Sequence, residues 1–252
     1  MRIIDTHLHL DNKFKKASDA IKNLDKNMKN ANINNGVLLH VAWQNWSIKE
    51  IANNLDLKKI KLFYNPDTNS IKEIKKIPFI VKELNISGIK IHPRFQNFNF
   101  FSKKTKYLLD ICSEINIPIL VCAFFDGISV KKNITPYCFA KLAETNKNTN
   151  LIFAHFGGYH YMDFMMMAKH FENVYLDLSF TPYYFRESNI PENLIYACKS
   201  LKFNKIFYGS DFPEVSHNKS ILGLLSQFKK YKVSNDDQSK IFFKNAKKFF
   251  KF

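Results

Sequence analysis

The sequence predicts an α/β protein: a (β/α)8 TIM barrel, one domain over residues 1–252, with an additional helix at its C-terminal end. Three observations carry this expectation. Eight short apolar runs recur along the chain, stretches of helical period separate them, and about 250 residues is the usual extent of eight such units. Strands that alternate with helices pair in parallel through right-handed crossovers, because each helix must return the chain to the same end of the sheet. An open doubly wound sheet is the competing arrangement. It usually carries a glycine-rich phosphate turn after its first strand, and here that turn reads "HLDNKF", without glycine.

The elements follow in order. The first run is "RIIDTHLHL" (2–10), where Ile3, Ile4, Leu8 and Leu10 make an extended apolar segment. "SDAIKNLDKNMKNANI" then places Ile21, Leu24, Met28 and Ala31 on one helical face, with Ser18 or Asp19 as the expected cap. Further strands are read at "GVLLHVAW" (36–43), "KLFYNPD" (61–67), "GIKIHPR" (88–94) and "IPILVCAFFDG" (117–127). The last three are "LIFAHFGG" (151–158), "NVYLDLSF" (173–180) and "KIFYGSDFPE" (205–214). "KKTKYLLDICSEI", "TPYCFAKLAETNK" and "PENLIYACKSL" read as helices, the last with Pro191 early, where a missing N–H is harmless. A final helix spans about 235–250, and "MMMAKHF" (165–171) reads as helix packing. No linker, repeat or low-complexity segment divides the domain.

Composition narrows the function. No segment reaches the ~18 uninterrupted apolar residues of a membrane helix. Asp5 and His7 interrupt the first apolar run, so no signal peptide is read. Cys112, Cys122, Cys138 and Cys198 are scattered without a C-x-x-C pair, which fits free thiols in a reducing cytoplasm. The net charge of +16 invites a nucleic-acid partner, but only three of the 38 basic residues are arginine (Arg2, Arg94, Arg186). Arginine is the preferred tool for bidentate phosphate and base contacts. Dispersed lysines read instead as a solvated surface, so nucleic acid is not expected as a partner. A homo-oligomer is compatible with the sequence.

In a (β/α)8 barrel the C-terminal strand ends form the active-site face. His7 and His9 share one parity of the first strand, so both imidazoles point the same way. The fourth run carries Lys90 and His92 on one face, and the fifth puts Cys122, Phe124 and Asp126 in one parity. The sixth ends in His155 before two glycines, and the eighth in Asp211 before Pro213. An apolar strand gains nothing structurally from a terminal His or Asp, so several converging on one mouth point to a metal site. Trp43 and Trp46 follow the second run and are read as an aromatic wall.

"DTHLHL", "GIKIHPRFQNF", "AHFGG" and "YGSDFPE" together resemble the amidohydrolase superfamily, in its amidohydrolase-2 branch, along essentially the whole chain. The resemblance implies a divalent ion, zinc or alternatively manganese, at the C-terminal mouth. It implies His7 and His9 as metal ligands, His155 as a ligand or the group that orients the attacked carbonyl, and Asp211 as ligand and proton shuttle. One position departs: the family pattern P-x-x-x-H at the fifth strand reads "PILVC" here, so Cys122 stands in place of a histidine. A thiolate can bind zinc, which makes Cys122 a candidate ligand, with Asp126 or Lys90 as substitutes. The implied activity is hydrolysis of a small anionic lactone, amide or ester by activated water. Lys90, His92 and Arg94 would bind the anionic group, and Trp43 would wall the pocket. Three alternatives stand beside it: a non-oxidative decarboxylase of the same family, a TatD-like deoxyribonuclease (for which the fourth run lacks the glutamate), and a metal-free ligand-binding barrel.

Overall fold

The computed structural model describes residues 1–252 and contains eight parallel strands in one sheet, ordered as in the sequence. They are β1 (Ile4–Leu8), β2 (Asn35–Leu39), β3 (Ile60–Tyr64), β4 (Gly88–Ile91), β5 (Ile119–Val121), β6 (Leu151–Phe153), β7 (Val174–Asp177) and β8 (Ile206–Phe207). Each is followed by helix, so the predicted (β/α)8 barrel is the fold. β8 is shorter than its run. Beyond Phe207 the chain leaves regular strand geometry yet still closes the barrel against β1, through Thr6 N–H to Tyr208 O (2.9 Å), Asp211 N–H to His7 O (3.0 Å) and His9 N–H to Phe212 O (2.8 Å).

Two apolar layers hold the barrel. Outside the sheet, helices pack on alternate strand residues such as Leu8, Leu38, Leu62, Ile89 and Ile119. Inside it, Ile4, Val37, Leu39, Phe63, Leu120, Ile152 and Phe207 fill the lumen. The C-terminal segment contributes Ala246 and Phe250 to that inner layer, and Phe250 stands edge-on to Phe63. The last helix therefore plugs the floor, opposite the polar strand ends. It is not uniform: a π-helical turn at Lys240–Lys244 joins the helices Asn235–Ser239 and Asn245–Phe250.

Two local expectations fail. The first helix runs Ala17–Asn30 with Lys16 at the cap position and no side-chain cap; Asp19 sits in its first turn instead, where its charge favours the positive end of the helix. Trp46 is buried and donates Nε1–H to Lys15 O (3.1 Å), so it belongs to the core rather than to a pocket wall. No helix is long and apolar enough to cross a membrane.

Candidate active site

The polar strand ends converge on a cavity of about 520 Å³ at the C-terminal mouth. His7 and His9 enter it from β1 and the residue beyond, with ring centroids 5.2 Å apart. Their outer nitrogens are fixed. His7 Nδ1 lies 2.9 Å from Asp177 Oδ2, and His9 Nδ1 lies 2.8 Å from Leu39 O. Each Nδ1 must donate there, so each Nε2 keeps its lone pair and faces the cavity. His7 Nε2 is buried without a hydrogen bond and stands 3.3 Å from Asp211 Oδ1; His9 Nε2 is 3.6 Å from the same oxygen. Two imidazole lone pairs and a carboxylate oxygen within 4.8 Å of one another match the donor set of a divalent cation. The stranded His7 Nε2 is the observation that makes the fit, because a buried acceptor without a donor is unfavourable unless something electrophilic occupies it.

Asp211 is held by its neighbours. Its backbone is left-handed (φ 65°), an unusual conformation for a residue with a Cβ. Asp5, fully buried, accepts from Ser210 N–H (2.9 Å) and His7 N–H (3.1 Å) with one carboxylate oxygen, and His217 Nδ1 sits 3.2 Å from the other. His217 in turn stacks on Phe212 (centroids 4.6 Å, planes 15° apart). The stretch 210–212 is therefore over-determined, which is the condition under which strained backbone persists.

His155 reaches the mouth by a different local device. After β6 the residues His155, Phe156, Gly157 and Gly158 all have positive φ. Gly157 is obligatory, since a Cβ there would lie 2.0 Å from the Phe164 ring. Asp177 Oδ1 accepts His155 N–H (3.0 Å), and Ser179 Oγ lies 3.0 Å from His155 Nδ1 and 3.1 Å from His7 Nδ1. Asp177 thus lies behind the site and orients both histidines. Burial opposes its charge, but His7 beside it outweighs that and holds the carboxyl well below the usual range. Asp177, Asp5 and Ser179 are not among the residues the sequence assigns to the site, because their role is to hold backbone and imidazole groups that only the folded chain brings near.

The fourth strand supplies the positive side. Lys90 is 1% exposed and lines the cavity. Burial lowers its pKa, partly offset by Cys122, Asp211 and Asp177. Burial also lowers His92, whose Nδ1 has no partner and whose ring stacks on Phe95 (4.5 Å) with Trp43 edge-on (5.2 Å). Arg94 pairs with Asp126 and points Nη2 at Cys122 Sγ (3.5 Å). Asp126 is committed to that pair and to capping the helix Gly127–Lys131. Cys122 joins neither of the donor groups at the mouth, which are His7, His9, Asp211 and His7, His155, Asp177. Its neighbours are His92, Arg94 and His155; burial opposes its ionisation, but His92 and His155 outweigh that and hold the thiol well below its usual pKa. The same pairing, with Asp211, raises His155 against burial.

The aromatic wall is larger than sequence reading suggested. Phe95, Phe124, Phe180 and Tyr184 join Trp43 around the cavity. The other four histidines stay outside: His40 accepts from Asn65 N–H (3.4 Å), His160 pairs with Asp163, His217 serves Asp5, and His170 ends the helix Tyr161–His170.

No curated protein sequence matches the chain. Solved structures share its fold: an uncharacterised TIM-barrel protein of Bordetella bronchiseptica (TM-score 0.82, 15% identity, 100% of this chain and 99% of that one); a probable 2-pyrone-4,6-dicarboxylic acid hydrolase of Acinetobacter baumannii with citric acid bound (0.69, 17%, 100% of both); and 2,6-dihydroxybenzoate decarboxylase of Rhizobium (0.67, 13%, 99% and 98%). The profile described as amidohydrolase matches residues 4–252. With that match over nearly every residue, the chain belongs to the amidohydrolase family, in its amidohydrolase-2 branch of metal-dependent hydrolases and decarboxylases.

Proposed function

We propose that this enzyme hydrolyses a small carboxylate-bearing lactone, amide or ester at a single divalent ion, zinc in the first instance and manganese as the alternative. The observation that carries the reading is the placement of His7 Nε2, His9 Nε2 and Asp211 Oδ1 across the cavity mouth from Lys90, His92 and Arg94. The first three would hold the ion; imidazole and carboxylate donors suit zinc. When bound, the ion supplies a Lewis acid that makes water a nucleophile near neutral pH. Lys90 and Arg94, with the His92 ring, bind the substrate carboxylate on the β4 side. Trp43, Phe95 and Phe124 cover its apolar body and exclude water. His155 hydrogen-bonds the carbonyl oxygen as it gains charge. Asp211 accepts the proton of the attacking water and returns it to the leaving oxygen or nitrogen. Cys122, facing Arg94, keeps the guanidinium in place rather than completing the ion's shell. The four cysteines, all buried and unpaired, accord with a cytoplasmic enzyme.

Two measurements test the reading. Purified protein should hold about one divalent ion per chain, and elemental analysis finding none, with no thermal shift on adding Zn²⁺ or Mn²⁺, would reject the metal site. On a panel of carboxylate lactones, esters and amides, Asp211→Asn should lower kcat by roughly 10²–10⁴-fold in a protein that stays folded. Carbon dioxide release from aryl carboxylates, without ring or ester opening, would replace hydrolysis by decarboxylation at the same site.

A further inference from the structure

The chain reverses sharply just beyond β7, and Phe180 is the residue on which it turns. Its backbone (φ 61°, ψ −51°) lies outside the small left-handed region open to residues with a Cβ. Thr181 N–H donates to Ser179 O across it (2.6 Å), which closes a γ-turn of the rare, strained kind. Such a conformation persists only where its surroundings impose it. Here both neighbours are pinned by the candidate active site. Ser179 N–H donates to Asp177 Oδ1 (2.9 Å), and its hydroxyl lies 3.0 Å from His155 Nδ1. Thr181, fully buried, donates its hydroxyl to His155 O (2.6 Å). The chain has one residue in which to reverse, and that reversal fixes where the Phe180 ring goes. The ring becomes a partition. It lines the cavity at the mouth, and it also lines an open groove of about 430 Å³ that runs down the side of the barrel by the helix His217–Lys230. No other residue is common to the two. The ring stands edge-on to His155 (centroids 6.1 Å) and is braced by Phe124 (5.2 Å) and Tyr184 (5.1 Å). A wall side chain on an ordinary loop adapts to what binds; this one is held by its backbone and by neighbouring rings.

We propose that Phe180 is a specificity-determining residue, a fixed wall that sets the length of the substrate the cavity accepts. In the sheet, β5 and β6 separate β4 from β7, so the cationic side chains of β4 and the Phe180 ring stand well apart around the mouth. A carboxylate anchored by Lys90 and Arg94 reaches toward His155 and ends at the ring. A group that extends past His155 meets the ring, and only the open groove lies behind it. The substrate is therefore compact, and an ester or amide with an aryl or long alkyl leaving group does not fit. This rests on the proposed function only in taking the ligand to be a carboxylate held on the β4 side; the ion and the reaction play no part in it.

The probes are benzoate and biphenyl-4-carboxylate, titrated by calorimetry into the full-length protein and into Phe180→Ala and Phe180→Gly. Wild type should bind benzoate saturably and bind the longer acid no more tightly. Both variants should bind biphenyl-4-carboxylate at least about tenfold more tightly than wild type does, as expected when one more ring is buried. Benzoate, which loses a wall, should bind them no more tightly than before. Melting temperatures read the turn itself. Phe180→Gly should melt no lower than Phe180→Ala, because glycine adopts this backbone without strain. Unchanged affinity of the longer acid in both variants overturns the proposal, as does a wild type that already prefers it. An alanine variant that melts above the glycine one would show an unstrained turn and a ring that is not fixed, which overturns it too. If benzoate binds none of the three proteins, the carboxylate reading of the cavity fails, and the proposal with it; if benzoate binds and the variants do not widen the cavity, the wall alone fails. Should Phe180→Ala not fold, Phe180→Gly, free of the strain, decides.

Discussion

At the scale of single residues, the site is a set of directed lone pairs. In the proposed metal site His7 and His9 can serve as ligands because Asp177 and Leu39 O accept from their Nδ1–H groups. Cys122 is the residue on which the strand-5 departure turns. If it only packs and steadies Arg94, Cys122→Ser should leave metal content at the wild-type level and cost about 1–3 kcal/mol of stability for an unsatisfied hydroxyl. Cys122→His should then be the less stable of the two, through overpacking. Loss of metal in the serine variant with recovery in the histidine variant would make the thiolate a ligand after all. His40 offers a pH test outside the site. Burial pushes its pKa from 6.5 down to about 4, so folding favours the neutral ring. The unfolded chain gains the proton first, and the contribution of His40, complete above pH 6.5, is lost as the pH falls toward 4. Relative to His40→Gln, wild-type stability should decline by about 3 kcal/mol across that window. Parallel urea midpoints at pH 7 and pH 4.5 check this, and an unchanged difference would contradict it.

At the scale of elements, the seam between β1 and the chain after β8 sets the geometry of the donors. Asp5 ties His7 N–H, Ser210 N–H and His217 together, and Asp211 N–H bonds His7 O. The left-handed Asp211 depends on that seam more than on its own preference. Asp5→Ala strands two buried N–H groups and the His217 imidazole, so it should destabilise the protein by about 3–5 kcal/mol. In protein that remains folded, it should also weaken Zn²⁺ binding by roughly 10–100-fold, as expected when the groups that orient ligands are removed. Chelator competition against wild type reads the second effect, and unaltered affinity in folded Asp5→Ala would mean that Asp211 keeps its place without the seam.

At the scale of the whole molecule, stability and chemistry occupy opposite ends of the barrel. Ala246 and Phe250 close the floor among lumen residues, while the donors sit at the C-terminal strand ends. Phe250→Ala should cost about 3–5 kcal/mol through the cavity it leaves, with Zn²⁺ affinity of the folded protein within twofold of wild type. Denaturant titration and chelator competition on one preparation separate the two ends; a joint loss would show that the floor and the mouth are coupled.

The barrel and most of the residues at its mouth are legible in the chain. The eight-fold alternation of apolar runs and helical stretches admits few other topologies, and polar residues that end apolar strands must gather wherever parallel strands end together. His7, His9, Lys90, His92, Arg94, His155 and Asp211 were legible for that reason. Asp5, Asp177, Ser179, the wider aromatic wall and the surroundings of Cys122 emerge from packing between distant segments. Asp5 works through residues more than 200 positions away, and Ser179 through histidines 24 and 172 positions away. Trp46 and Trp43 stand three residues apart after one strand, yet one is core and the other lines the cavity, because side-chain direction in a loop follows its packing rather than any period. Hydrogen bonds between distant segments leave no periodic trace in the chain, and the folded barrel is what brings those partners together.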